Sequence, residues 1–236
     1  MIGDHLMKTI GLVGGTGWIS TIDYYRIINL EVNSRRGGQN TAKIVLYSVD
    51  FGEIDALHAK GDFHGVGALL TDASKKLVSV GADCVLLCAN TMHMHAERVQ
   101  EAIAVPLIHI VDATAEQIHL EAMKKVGLLG TKMTMEREFY RKRLNDANIE
   151  VLVPEKEERE FIQRTINDEL VKNLFLPGSK EGFLEIIKKL RIQGAEGVIL
   201  GCTEIPLLVK QSDTDLPVFD TTRIHSLAAV DFALSA

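Results

Sequence analysis

The chain has 236 residues, a net charge of −6, 46% apolar residues and 25% charged residues. That length suffices for one large or two small domains with real cores, and the composition is that of an ordinary globular protein. The negative balance excludes a global basic field for nucleic acid or an anionic membrane, and no apolar run approaches the length of a bilayer span.

Residues 1–8 lack a charged stretch followed by an apolar one, so no secretory signal is expected. Met7 reads as a natural start, with residues 1–6 an extension without structural role. Along the chain, strand-like apolar runs are predicted at residues 9–13, 44–49, 84–87, 107–111, 126–129, 198–200 and 218–219. Amphipathic helical stretches are predicted at residues 24–33, 67–80 and 181–193. Short, nearly continuous apolar strands alternating with helices indicate an α/β fold with parallel sheet covered on both faces. The charged run at residues 155–164 reads as a solvated helix face.

Two pairs of segments match. Lys8-Thr-Ile-Gly-Leu-Val-Gly-Gly-Thr16 is similar to Lys124-Lys-Val-Gly-Leu-Leu-Gly-Thr-Lys132. Gly81-Ala-Asp-Cys-Val-Leu-Leu-Cys-Ala-Asn-Thr91 is similar to Gly194-Ala-Glu-Gly-Val-Ile-Leu-Gly-Cys-Thr-Glu204. The offsets, 116 residues from Gly11 to Gly127 and 113 from Gly81 to Gly194, are nearly equal, as two homologous halves require. Two pseudo-symmetric domains are therefore expected, each a parallel sheet flanked by helices, with a cleft between them as the default site. The first comprises residues 7–106 plus 206–236 and the second residues 107–205.

Ligands of parallel α/β sheets bind at the carboxyl ends of strands. The repeat sets Cys202 opposite Ala89, Cys88 opposite Gly201, Asn90 opposite Thr203 and Thr91 opposite Glu204. A cysteine leading from a strand into a helix meets a positive dipole end and free N–H groups, which favour thiolate. Cys202 is thus a candidate base, acid or nucleophile; a small buried hydrophobe is the alternative reading. Three cysteines in apolar or glycine-flanked settings fit free thiols of a reducing cytoplasm.

Other signals carry less. Gly11-x-x-Gly-Gly-x-Gly17 lacks the third glycine of a dinucleotide fingerprint, because position 20 is Ser20, and Asp50 stands too far on. There is no Gly-Lys-Ser/Thr and no Cys-x-x-Cys. His93 and His95 are spaced i, i+2, which cannot share a helix face, so no metal is expected.

Five segments occur in order over nearly the whole chain: Gly14-Gly-Thr-Gly17, Cys88-Ala-Asn-Thr-Met-His93, Gly130-Thr-Lys-Met-Thr-Met135, Gly201-Cys-Thr-Glu204 and Phe219-Asp-Thr221. Together they resemble the aspartate/glutamate racemase family. The resemblance implies a homodimeric racemase of an acidic amino acid of the aspartate/glutamate class, independent of pyridoxal phosphate and metal, with a small-molecule amino acid or dicarboxylic acid as its partner. The cysteines make a cytoplasmic protein the expectation, and charge and hydropathy one without nucleic-acid or membrane partners. Two thiols on opposite faces of the substrate α-carbon act in turn, because inversion requires proton delivery opposite to removal. The carbanion needs preorganised donors around its carboxylate. Thr16, Asn90, Thr91, Thr131, Thr134, Thr203 and Glu204 are the substrate-binding candidates, and the hydroxyl and amide residues among them have a second reading as helix N-caps. Lys172 and Arg164 are loose candidates for a distal carboxylate, and His225 follows the last motif.

The family's first catalytic cysteine directly precedes Asn-Thr, and that position here is Ala89. Cys88 is one residue earlier, and strand alternation points it away from the cleft unless a bulge turns it back. Three readings follow: a racemase with Cys202 on one face and water, Cys88 or a hydroxyl on the other; a one-thiol lyase in which Cys202 protonates the carbanion of a decarboxylating malonate-type acid; and a catalytically silent binding protein.

Overall fold

A computed structural model describes residues 7–235, so the reading of residues 1–6 as an extension lies outside the described residues. The chain forms two compact units: one runs to His109 and takes up the chain again from His225, and the other is Ile110–Ile224.

The first unit opens with strand β1 (Ile10–Gly14), helix α1 (Trp18–Arg36), strand β2 (Ile44–Ser48), helices α2 (Phe51–Ala59) and α3 (Phe63–Ser79), strand β3 (Cys84–Leu87) and helix α4 (Ala96–Ala102). Its sheet is parallel in the order β2-β1-β3, with Val13 level with Tyr47 and Leu87. β1 and β3 are buried throughout, while the edge strand β2 is half exposed. One face packs Val13, Val85 and Leu87 against Ile54, Val66, Leu70 and Val99 of α2, α3 and α4. The other packs Ile10, Leu12, Leu86 and Cys88 against Tyr24, Ile28 and Val32 of α1 and Ala229 and Val230 near the C-terminus. Both faces being dry explains why these strands read as unbroken apolar runs.

The second unit contains helix α5 (Ile110–Leu120), strand β4 (Lys125–Gly130), helices α6 (Lys132–Glu136) and α7 (Glu138–Asp146), strand β5 (Glu150–Leu152) and helices α8 (Lys156–Asp168) and α9 (Pro177–Ile192). Strand β6 (Gly197–Gly201), helix α10 (Ile205–Leu208), strand β7 (Val218–Asp220) and helix α11 (Thr221–Leu234) follow, α11 passing into the first unit at His225. The sheet is parallel in the order β5-β4-β6-β7. The β5-β4-β6 part repeats the β2-β1-β3 arrangement, which is the architectural content of the sequence repeat. Its core joins Val126, Leu128, Val198 and Leu200 to Tyr140, Ile162, Phe183 and Leu190.

Two expectations are corrected and one strand is added. Residues 206–224 belong to the second unit, because β7 pairs with β6 through Val198–Val218, Ile199–Phe219 and Leu200–Asp220. Residues 107–111 are not a strand: a single bridge joins Leu107 to Val85, and the chain enters α5 at Ile110. Pairing is limited to the Val85 N–H on the Pro106 carbonyl and the Ile108 N–H on the Val85 carbonyl, because the next acceptor, the Ile108 carbonyl, is taken by His225 Nε2 and the chain turns into α5. β5 was missed because three residues with an exposed edge carry too little apolar signal.

Candidate active site

Register brings the candidate residues to the carboxyl end of each sheet. In the first unit the β1 loop and the β3 loop emerge side by side. The chain leaves β1 through Gly15, at φ +84, where an added Cβ would collide with the Val49 carbonyl. The Gly15 N–H donates to Thr21 Oγ1 at 3.0 Å, pinning the turn to α1. Thr16 follows this turn; its side chain is buried, and its hydroxyl has no hydrogen-bond partner among the described residues.

Beyond β3 the alternation of the strand continues. Cys88 sits in the apolar cluster with Leu86, Tyr24 and Ala229, and Ala89 packs with Val85 and Leu87 on the opposite face. Burial pushes the Cys88 thiol far up, and Cys84 up to about 12. Asn90 is buried and Thr91 opens a 3-10 turn, Thr91–His95.

That turn carries a feature the sequence reading underrated. The His93 ring donates from Nδ1 to the Ala89 carbonyl at 3.0 Å, since a carbonyl can only accept. Its ring meets those of His109 and His225 edge-on, at centroid separations of 4.7 and 5.3 Å. His225 is fully buried, and burial lowers its pKa to about 4, so its imidazole is neutral at neutral pH. Its Nε2 faces the Ile108 carbonyl at 2.7 Å and must hold the proton. Nδ1 therefore accepts from the Tyr24 hydroxyl at 2.8 Å. The signal for this cluster was present only as isolated histidines far apart in the chain.

In the second unit β4 and β6 both end on glycine, with Gly130 level with Gly201. Thr131 caps α6 by accepting the Thr134 N–H at 3.2 Å, so the N-cap reading holds for it. Thr134 is fully buried, its hydroxyl 3.1 Å from that of Thr131. Cys202, Thr203 and Glu204 follow β6, each at most 7% exposed. One oxygen of Glu204, Oε2, accepts from the Cys202 thiol at 3.1 Å and from the Thr203 hydroxyl at 2.9 Å. The Glu204 carboxylate, expected to face substrate, is engaged by its own segment.

The expected thiolate-favouring surroundings are also corrected. Burial, and after it the Glu204 carboxylate, hold the Cys202 thiol well above its usual range, against the opposing amide groups of Glu204 and Ile205. The physical reason is that α10 is a single four-residue turn, whose dipole is too small to offset desolvation. Cys202 rests as a thiol.

At the end of β7, Thr221 donates to the Leu200 carbonyl at 2.8 Å, and burial raises the Asp220 carboxyl. Asp220 was passed over as a chemical group, although its place at a strand end marked it. Lys172 lies in a 3-10 turn and Arg164 on α8, both exposed. Among the described residues no group of three or more His, Cys, Asp or Glu side chains is arranged to hold a metal ion, and no helix is long and apolar enough to cross a membrane.

The sequence model of the Asp/Glu/Hydantoin racemase family matches residues 13–229. The fold is similar to that of a candidate Asp/Glu racemase from Yersinia pestis: TM-score 0.92, 49% identity, 97% of this chain and 100% of that one covered. It is also similar to an aspartate racemase homologue from Pyrococcus horikoshii OT3, with a TM-score of 0.85, 38% identity and the same coverage of both chains. The broad-specificity amino-acid racemase RacX of Bacillus subtilis (strain 168) is 28% identical over 169 residues, which are 70% of this chain and 71% of RacX. With its motifs at the ends of paired parallel strands and a family match over most of its length, the chain belongs to the Asp/Glu/Hydantoin racemase family.

Proposed function

We propose that this chain is a cofactor-independent racemase of an acidic amino acid of the aspartate/glutamate class, with Cys202 exchanging the α-proton on one face of the substrate. The observation that carries the reading is the buried Cys202 thiol at the end of β6, bonded to Glu204, in a chain of the racemase family. Thr16, Asn90, Thr91, Thr134 and Thr203 are the donors proposed to hold the substrate carboxylate and the charge that develops on it. Because Ala89 carries no proton, the opposite face depends on water or a neighbouring polar group, and turnover is expected to be weak or one-sided. Three free thiols fit a reducing cytoplasm, and a homodimer completes the proposal; sedimentation at the 26.1 kDa monomer mass counts against the dimer.

Incubation of each enantiomer of aspartate and glutamate in D₂O, followed by chiral separation and NMR, tests the reading. Inversion with α-deuterium incorporation supports racemisation. Deuterium without inversion leaves Cys202 as the sole working face. No exchange on either amino acid removes the racemase reading.

The placement of Cys88 on the far face of β3 from Ala89 favours one further reading, a one-thiol lyase. There Cys202 protonates the carbanion left by decarboxylation of a malonate-type acid. Carbon dioxide release with a single product enantiomer supports it.

A further inference from the structure

We propose that Cys202 and Glu204 form a thiol–carboxylate pair that shares one proton, so that Glu204 is the group that turns a resting thiol into a base. The proposal rests on Cys202 as the acid/base of the racemase reading and adds how its proton moves.

The geometry carries it. A thiol 3.1 Å from a carboxylate oxygen has a proton acceptor already in place. The same oxygen takes the Thr203 hydroxyl proton at 2.9 Å, which fixes the carboxylate toward the sulfur. Glu204 is 5% exposed, so this contact competes with little bulk water. The amides of Glu204 and Ile205 act on the sulfur in the opposite sense and favour thiolate, although the Ile205 N–H also bonds the Cys202 carbonyl at 3.1 Å. The sulfur therefore has an acceptor for its proton and donors for its charge. Glu204 is the ionisable side chain acting on it; Asp220, at the end of neighbouring β7, has its carboxyl raised by burial, against the amides of Arg223 and Thr222 and the charges of Lys210 and Arg223.

The proton step balances without a co-reactant. The Cys202 S–H bond breaks and an O–H bond forms on Glu204. The sulfur lone pair then takes the substrate α-proton, the Cα–H pair stays on carbon, and an S–H bond re-forms. In the return direction the thiol protonates the carbanion and Glu204 restores the proton to sulfur. The pair carries one negative unit until the sulfur takes the α-proton; that unit then sits on the carbanion, so pair and substrate together keep a constant charge, which suits a buried site.

The test is iodoacetamide alkylation across a pH series, read peptide by peptide by mass spectrometry so that Cys84 and Cys88 are scored apart from Cys202. Glu204→Gln removes the charge and keeps the shape. It should move the Cys202 midpoint to lower pH by about one unit, a roughly tenfold faster reaction at fixed pH below the midpoint. It should also slow α-hydrogen exchange of aspartate or glutamate in D₂O by about a hundredfold. Loosened packing would also hydrate the sulfur and lower its midpoint, so amide exchange and the alkylation of Cys84 and Cys88 serve as the packing control; with those unchanged, an unmoved or raised Cys202 midpoint overturns the pair. Where Glu204→Gln does not fold, Glu204→Asp draws the carboxylate back from the sulfur and should give a smaller shift in the same direction; an unmoved midpoint there also overturns it. A wild-type chain without exchange activity, but with the midpoint shift on substitution, defeats the racemase reading and leaves the pair standing.

Discussion

Cys202 is pulled two ways, upward by burial and its carboxylate neighbour and downward by backbone amides, and its resting state is the thiol. Cys202→Ser keeps the size and the hydrogen bond to Glu204 but puts a far weaker acid in place of the thiol. Turnover should fall at least about a hundredfold with an unchanged fold, checked by initial rates in a chiral assay and by circular dichroism. His225 gives a pH prediction. Its folded pKa is about 4, below the unfolded value of 6.5, so protons bind the unfolded chain first. Its stabilising share is complete above pH 6.5 and is lost as pH falls from there to about 4, roughly 3 kcal/mol in all. Urea midpoints at pH 7 and pH 5 should separate strongly in the wild type and less in His225→Gln. The sequence offered Cys202, Ala89 and the hydroxyl residues as candidates. It could not offer the Glu204–Cys202 bond, because which way a carboxylate turns depends on whether solvent or a buried thiol is its neighbour.

At the level of elements, most strands were legible because both faces of each sheet are covered, which makes β1, β3, β6 and all of β4 after Lys125 apolar. The failures were the short or lightly paired segments: β5, and residues 107–109 with their single bridge. The turn after β1 was visible as a glycine pair, but its need for glycine is a tertiary matter. At Gly15 a positive φ coincides with close approach of the Val49 carbonyl. Gly15→Ala should therefore cost at least about 2 kcal/mol, more than a strained dihedral alone, and lower the denaturant midpoint. The loop carrying Thr16 should lose order with it, visible as faster amide exchange after β1.

For the molecule as a whole, each unit has its own dry interior. Phe183 is fully buried in the second one, against Phe161 at a ring-centroid separation of 6.0 Å. Phe183→Ala leaves a cavity and should cost about 3–5 kcal/mol, read as a drop in denaturant midpoint. The sequence by itself determined the α/β class, the two-fold repetition, the strand ends that carry the family motifs, and the absence of a thiol at position 89. These follow from local pattern: apolar periodicity, glycine at turns, and two segments that match at nearly equal offsets. Only the tertiary structure decided that residues 206–224 close the second sheet, since strand pairing is a long-range choice that no local pattern records. It alone decided that His109 and His225, distant in the chain, meet the ring of His93, while Cys88 packs in the apolar cluster as strand alternation had suggested. It also reversed the expected acidity of Cys202, because a four-residue helix supplies too little field to outweigh burial beside a carboxylate.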